Sequence, residues 1–201
     1  YKLSDDIQMS GYTCWLWQPV DFGGYFDGNG KNIYIDIRPY FSDTPYMLIH
    51  YGRALFGNVS GTIVNLRVEG KVSGYRAAGI AQNLISGGTI KDCVFSGTVT
   101  SRTMSENEYF EETLDVLLDY LAENYDDELT SDTAAFERTY IGGMYAGGIV
   151  NSLQNGTVEG CKFSGTVRSA AADNNFSSGG IAALMYGGNI TGCSVNGDST
   201  I

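Results

Sequence analysis

Twenty-three acidic side chains, four cysteines and a single histidine are the groups with which this chain could do chemistry. Ten of the acids fall between Glu106 and Glu128, with no Lys or Arg among them, and the run closes on Asp126-Asp127-Glu128. A calcium site gathers roughly six to eight oxygens around the ion. This run lacks the spaced D-x-D-x-D-G loop, and adjacent helix residues point in different directions, so it reads as a solvated acidic face. Asp27-Gly28-Asn29-Gly30 has loop chemistry without a Glu at the required distance, and reads as a tight turn. His50 sits among apolar residues in PYMLIHYG, with no nucleophile-elbow serine or partner cysteine, which makes it a packing residue and not a triad base. Sugar cleavage needs carboxylates that converge on one face. Glu69, Asp92, Glu159 and Asp198 occupy different positions of the repeat described below, and Asp21, Asp27, Asp36 and Asp43 all precede it. No catalytic, cofactor-binding or metal-ligating residue is therefore assigned, and no cofactor is implied.

The cysteines are explained by the elements that must position them. One twelve-residue pattern occurs four times: GTIVNLRVEGKV from Gly61, GTIKDCVFSGTV from Gly88, GTVEGCKFSGTV from Gly156 and GNITGCSVNGDS from Gly188. Recurrence at this scale signals stacked copies of one structural unit. Cys93, Cys161 and Cys193 share one position, where the first copy has Leu66. Stacked copies make these an inward ladder in which Cys behaves as a small hydrophobe. Neighbouring rungs of a sheet lie about 4.8 Å apart. Disulfide Cα separations run from about 4.4 to 6.8 Å, so spacing alone leaves a bridge possible. Cys14, in GYTCWLW, is expected in an end cap, and the absence of CxxC beside a single histidine argues against zinc.

Within each copy the apolar residues alternate: Ile63, Leu66, Val68 and Val72 correspond to Ile90, Cys93, Phe95 and Val99, then to Val158, Cys161, Phe163 and Val167. The fixed glycines Gly70, Gly97, Gly165 and Gly197 interrupt the alternation and predict a corner between two short strands. Another short apolar element precedes each copy: Ala54 to Gly57, Ala78 to Ala81, Gly147 to Val150 and Gly179 to Ala182. Three short strands per unit make an all-β chain, a parallel β-helix of about five coils, right-handed by the bias of parallel connections. Residues 1–50 read as an aromatic N-terminal capping coil, 51–99 as coils, 100–146 as an insertion and 147–201 as coils, all in one domain. Ser105 and Glu108 form a capping box, and Phe110, Leu114, Leu117, Leu118, Leu121 and Tyr125 follow helical spacing, so the insertion carries an acidic helix over about 106–125. Asp198 and Ser199 replace the Thr and Val of earlier copies, and the pattern stops mid-coil, so further coils and domains of the same chain are expected beyond Ile201.

Composition narrows the partners. Of 201 residues, 27 are Gly, only 3 are Pro and 12% are aromatic, which suits many tight turns and excludes simple disorder. A net charge of −11 argues against nucleic acid and anionic membrane surfaces. No apolar run approaches the roughly 18 residues of a membrane span. The N-x-S/T matches at Asn58, Asn155, Asn175 and Asn189 arise readily in such a composition. Thr62, Thr89, Thr98, Thr157 and Thr166 form only partial ladders, not a flat T-x-T face.

AGGIVNSLQNGTVEGCKFSGTV, AAGIAQNLISGGTIKDCVFSGTV and the opening YKLSDDIQMSG…W…FGGYFDGNGKNI together resemble the GLUG-type repeat proteins of bacterial surfaces. The resemblance spans nearly the whole chain apart from Phe41 to Tyr51 and the acidic insertion. Cys93, Cys161 and Cys193 stand at the family's usual Cys position, whereas Leu66 and Asp198-Ser199 depart from it. It implies secreted or surface-anchored modules of larger proteins, often adhesins, and supplies no catalytic residues. The expected function is a non-catalytic extracellular or cell-surface scaffold or adhesin module. Its loops and acidic insertion would meet a host or neighbouring-cell surface protein or glycan. The alternative is a carbohydrate-active β-helix, either lyase-like or glycan-binding.

Overall fold

The computed structural model describes residues 1–9, 17–38, 53–101, 144–169 and 176–200. Ahead of the first copy lie β1 (Ile7–Gln8), β2 (Val20–Phe22), β3 (Tyr25–Asp27) and β4 (Asn32–Ile37). The first copy and its approach supply β5 (Phe56–Val59), β6 (Thr62–Val64) and β7 (Arg67–Gly74). The second supplies β8 (Arg76–Ala78), β9 (Ala81–Leu84), β10 (Thr89–Lys91) and β11 (Val94–Ser101). In the third, β12 (Met144–Gly147), β13 (Val150–Glu159) and β14 (Lys162–Ser169) follow one another. The fourth repeats them as β15 (Phe176–Gly179), β16 (Ala182–Thr191) and β17 (Ser194–Thr200). Among the described residues there is no helix. The helix expected over 106–125, Cys14, His50 and the calcium-like run at 126–128 lie outside the described residues.

These strands build three sheets in which each strand pairs with its counterpart from the copies before and after. One runs β1-β4-β7-β11-β14-β17, a second holds β15-β12-β8, and the third combines the remaining strands, with β13 serving both β9 and β10. The pairings are parallel, and the repeat pairs residue for residue: Phe95 with Val68 and Phe163, Ile90 with Ile63 and Val158. The chain is therefore all-β and mostly parallel, an arrangement compatible with a β-helix-like fold.

Alternation decides what is inside. Ile63, Ile90 and Val158 form one buried column, Val68, Phe95 and Phe163 a second, and Leu66, Cys93 and Cys161 a third. The rings of Phe95 and Phe163 stack with centroids 6.0 Å apart and planes within 2°. Nearer the N-terminus Phe22, Phe26 and Phe56 pack edge-on or tilted at 5.5–6.2 Å between centroids. Trp17 donates its ring N–H to the Leu55 carbonyl at 2.9 Å.

Two expectations about the turns are corrected. The fixed glycines are not corners: Gly70 and Gly97 lie inside the eight-residue strands β7 and β11. Their φ angles are +138° and +145°, and a Cβ on Gly97 would stand 1.9 Å from the Gly70 carbonyl oxygen. Rung-to-rung approach, not chain reversal, demands glycine there. The corner instead falls five residues earlier in each copy, at Asn65, Asp92, Gly160 and Gly192, all left-handed with φ between 52° and 63°. These are the residue types that tolerate that conformation. The short apolar element also slips between the first and second copies. Arg53 pairs with Ala77 but Phe56 with Ala81, so the second copy carries one more residue across that bend.

Candidate functional site

Three acids near the N-terminus, Asp6, Asp21 and Asp27, accept backbone N–H groups, and Asp36 pairs with Arg38 at 2.7 Å. Asp6 Oδ1 accepts the Asn32 N–H at 2.8 Å, which holds its carboxyl below the usual range. Asp21 takes both the backbone N–H and the side-chain amide of Asn58, at 2.8 and 3.0 Å, and Asn83 extends the chain by donating to Asn58 Oδ1 at 2.8 Å. Asp27 accepts the Asn29 N–H at 2.8 Å, which lowers its pKa, with lesser help from Asn65 and Lys2. The DGNG segment is thus a turn closed by its own aspartate, and that oxygen is already occupied. Asp92 serves the corner, and Glu159 pairs with Lys91 at 2.8 Å across neighbouring strands. Among the described residues no three His, Cys, Asp or Glu side chains gather as a metal site.

The thiol column lies where the repeat places it. Cys93, Cys161 and Cys193 are free, the first two buried and the third partly exposed. Each sulfur reaches a carbonyl of its own strand end and one of the preceding rung. Cys93 meets Lys91 O at 3.2 Å and Ile63 O at 3.7 Å, and Cys161 meets Glu159 O at 3.4 Å and Ile90 O at 3.5 Å. Cys193 repeats the contacts with Thr191 and Val158. A thiol can make this weak donor contact and Leu66 cannot, which gives the position a reason for Cys beyond size. Contact with the Cys93 thiol, then burial, pushes the Cys161 thiol far above its ordinary range, and burial raises Cys193. Cys161 and Cys193, held protonated, are poor nucleophiles and poor metal ligands, whereas the contact with Cys161 lowers the pKa of Cys93.

Several buried polar groups were not legible as functional positions. Gln82 donates to the Arg53 and Arg76 carbonyls at 2.6 and 2.9 Å. Its counterpart Asn151 donates to Tyr145 O at 2.7 Å and Ala77 O at 3.3 Å. Both close the bend where strands change sheet, and an amide directly after the small apolar element in AQN and VNS is the signal that marks them. Arg53 is buried, reaches Trp17 O at 3.3 Å, and has its pKa lowered by burial to about 10. Ser101 and Ser169 share a buried hydroxyl contact at 2.7 Å, and Ser169 also donates to Met144 O at 3.0 Å. The points at which the chain leaves after β11 and returns at β12 are thereby tied to a single side chain.

No family model, curated protein or solved structure matches this chain.

Proposed function

We propose that this chain is a non-catalytic scaffold module of the GLUG-repeat kind, displayed outside a bacterial cell as part of a larger surface protein. In this reading the stack is a right-handed parallel β-helix of about five coils with an aromatic N-terminal cap. Its acidic helical insertion and the loop from Ser169 to Ser177 meet a surface protein or glycan. The observation that supports it best is the junction at Ser101, Met144 and Ser169, where hydrogen bonds hold both flanks of the insertion together. A long excursion from such a junction leaves the register of the rungs intact: β11 and β14 pair continuously from Val94 with Lys162 to Ser101 with Ser169. Loops on rigid frames are where binding is commonly carried. That Asp6, Asp21 and Asp27 each accept a backbone N–H further supports a structural role.

The test combines a glycan array, intact-cell binding and a product assay on the chain with and without residues 104–138. Binding that is lost on deletion, while the cooperative unfolding transition is kept, is the expected result. Unchanged binding would reject the insertion as recognition surface. Released oligosaccharides would replace the scaffold reading with the carbohydrate-active one.

A further inference from the structure

In the middle of the stack the repeat brings two thiols together from opposite sides of the insertion. Lys91 pairs with Glu159 and Val94 with Lys162, so Cys93 stands opposite Cys161 one rung away. Toward the N-terminus Lys91 pairs with Val64 and Val94 with Arg67, which sets Leu66 on the other side of Cys93. Cys161 is therefore the one thiol neighbour of Cys93 in this column. The two rungs are closely aligned here: two residues on, the rings of Phe95 and Phe163 stack with planes within 2°. Each Cys also lies just outside the paired residues, between β10 and β11 or between β13 and β14, where the backbone has more room to shift than within a strand.

Neighbouring rungs are about 4.8 Å apart, inside the Cα window of a disulfide, about 4.4 to 6.8 Å. In-register parallel side chains begin at nearly the same separation, longer than the Cβ distance of about 3.5–4.5 Å that a bridge adopts. Closing the bond draws the rungs together and stores strain, and strained bridges are the readily reduced ones. The two sulfurs are also unequal. Contact with Cys161 lowers the pKa of Cys93, whereas contact with Cys93, then burial, raises that of Cys161. Cys93 is the better attacking sulfur, and Cys161 is placed to resolve what forms on it.

We propose that Cys93 and Cys161 form a reversible disulfide site, closed by a small uncharged peroxide, that clamps the two flanks of the insertion. The Cys93 sulfur attacks one peroxide oxygen; the O–O bond breaks, and hydroxide leaves with the thiol proton as water. The Cys161 sulfur then attacks the Cys93 sulfenic acid; the S–O bond breaks, the S–S bond forms, and a second water carries off the Cys161 proton. Peroxide thereby accepts the two electrons that the thiols lose. The bridge encloses residues 94–160 in one covalent loop and reinforces the Ser101–Ser169 contact, whatever the insertion binds.

The test is hydrogen peroxide treatment of the folded 201-residue chain, alkylation in urea, and tryptic mapping without reductant. The four cysteines fall on separate tryptic peptides, with Cys93 on residues 92–102 and Cys161 on residues 139–162. The expected product joins these two peptides, and reduced glutathione should return both thiols. The oxidised chain should show an unfolding constant about tenfold or more smaller at a fixed urea concentration. Cys161→Val should leave Cys93 as a sulfenic acid that dimedone traps. Recovery of Cys93 and Cys161 as alkylated thiols, at peroxide levels that fully oxidise Cys93-containing peptide, would overturn the proposal. So would a bridge from Cys161 to Cys193 in its place, or an equal yield of the Cys93–Cys161 bridge from chain oxidised in urea. A bridge that glutathione leaves intact would overturn its reversibility.

Discussion

Phe163 and Val195 hold the same position of the repeat one rung apart, yet one is buried and the other is half in solvent. Val158 and Ile190 repeat the contrast, as do Leu153 and Met185. Residue type hardly differs between the two rungs; what differs is whether another rung lies on the far side. Burial in this molecule is a property of the neighbour. Stability should therefore be close to a sum of rung-to-rung terms, greatest in the middle and least at the fourth copy. The same logic explains why the thiol column is buried at Cys93 and Cys161 and partly open at Cys193.

The comparison can be broken most severely at the glycine column. Gly97→Val places a side chain against the Gly70 carbonyl at a φ of +145°, and should destabilise by about 3 kcal/mol or more, enough to abolish cooperative unfolding of a marginal domain. Gly30, equally left-handed but with open space around it, should accept Asn with little change in the same denaturant titration. Next in size is the direct contrast of rungs. Phe163→Ala should lose about 3–5 kcal/mol, because it empties a closed core, while Val195→Ala should lose under about 1 kcal/mol. Equal losses would remove the distinction between middle and end.

A smaller effect lies in the thiols. The folded pKa of Cys161 is raised above its ordinary value of 9.0, so the folded state keeps a proton that the unfolded chain releases. That contribution is fully present below about pH 9 and is lost as pH rises further. Melting temperature should fall above that pH, and Cys161→Val should flatten the fall. The smallest effect is expected on the outer face. Lys91 and Glu159 are both close to half exposed despite their 2.8 Å contact, so Lys91→Met should leave the melting temperature unchanged within error, in low salt and high.

Much of the architecture was legible because identical residues had to stack on one another. The pairing of Ile63 with Ile90 and of Phe95 with Phe163 follows the alignment of the copies directly. The corner was misplaced because a strand-interior glycine looks like a breaker in sequence. Only the approach of the previous rung's carbonyl explains why Gly97 lies within β11. Asp92, which could be weighed as a candidate acid, turned out to be one of four left-handed corner residues, a role shared with Asn65 and two glycines. The one signal for Gln82 and Asn151 is an amide directly after the small apolar element, and the bend carbonyls it satisfies emerge only in the fold. The slip between Arg53 and Phe56 was equally hidden, since one residue added to a bend leaves alternation on either side intact.

The claim that stacking neighbours, and not residue types, fix this structure is tested most directly by amide hydrogen exchange on the monomer at low protein concentration. The account predicts protection that is highest in β11 and β14, lower in β4, and lowest in β16 and β17, although Ile190 and Val195 keep apolar residues opposite Val158 and Phe163. Uniform protection from β4 through β17, or a maximum at the fourth copy, would contradict it.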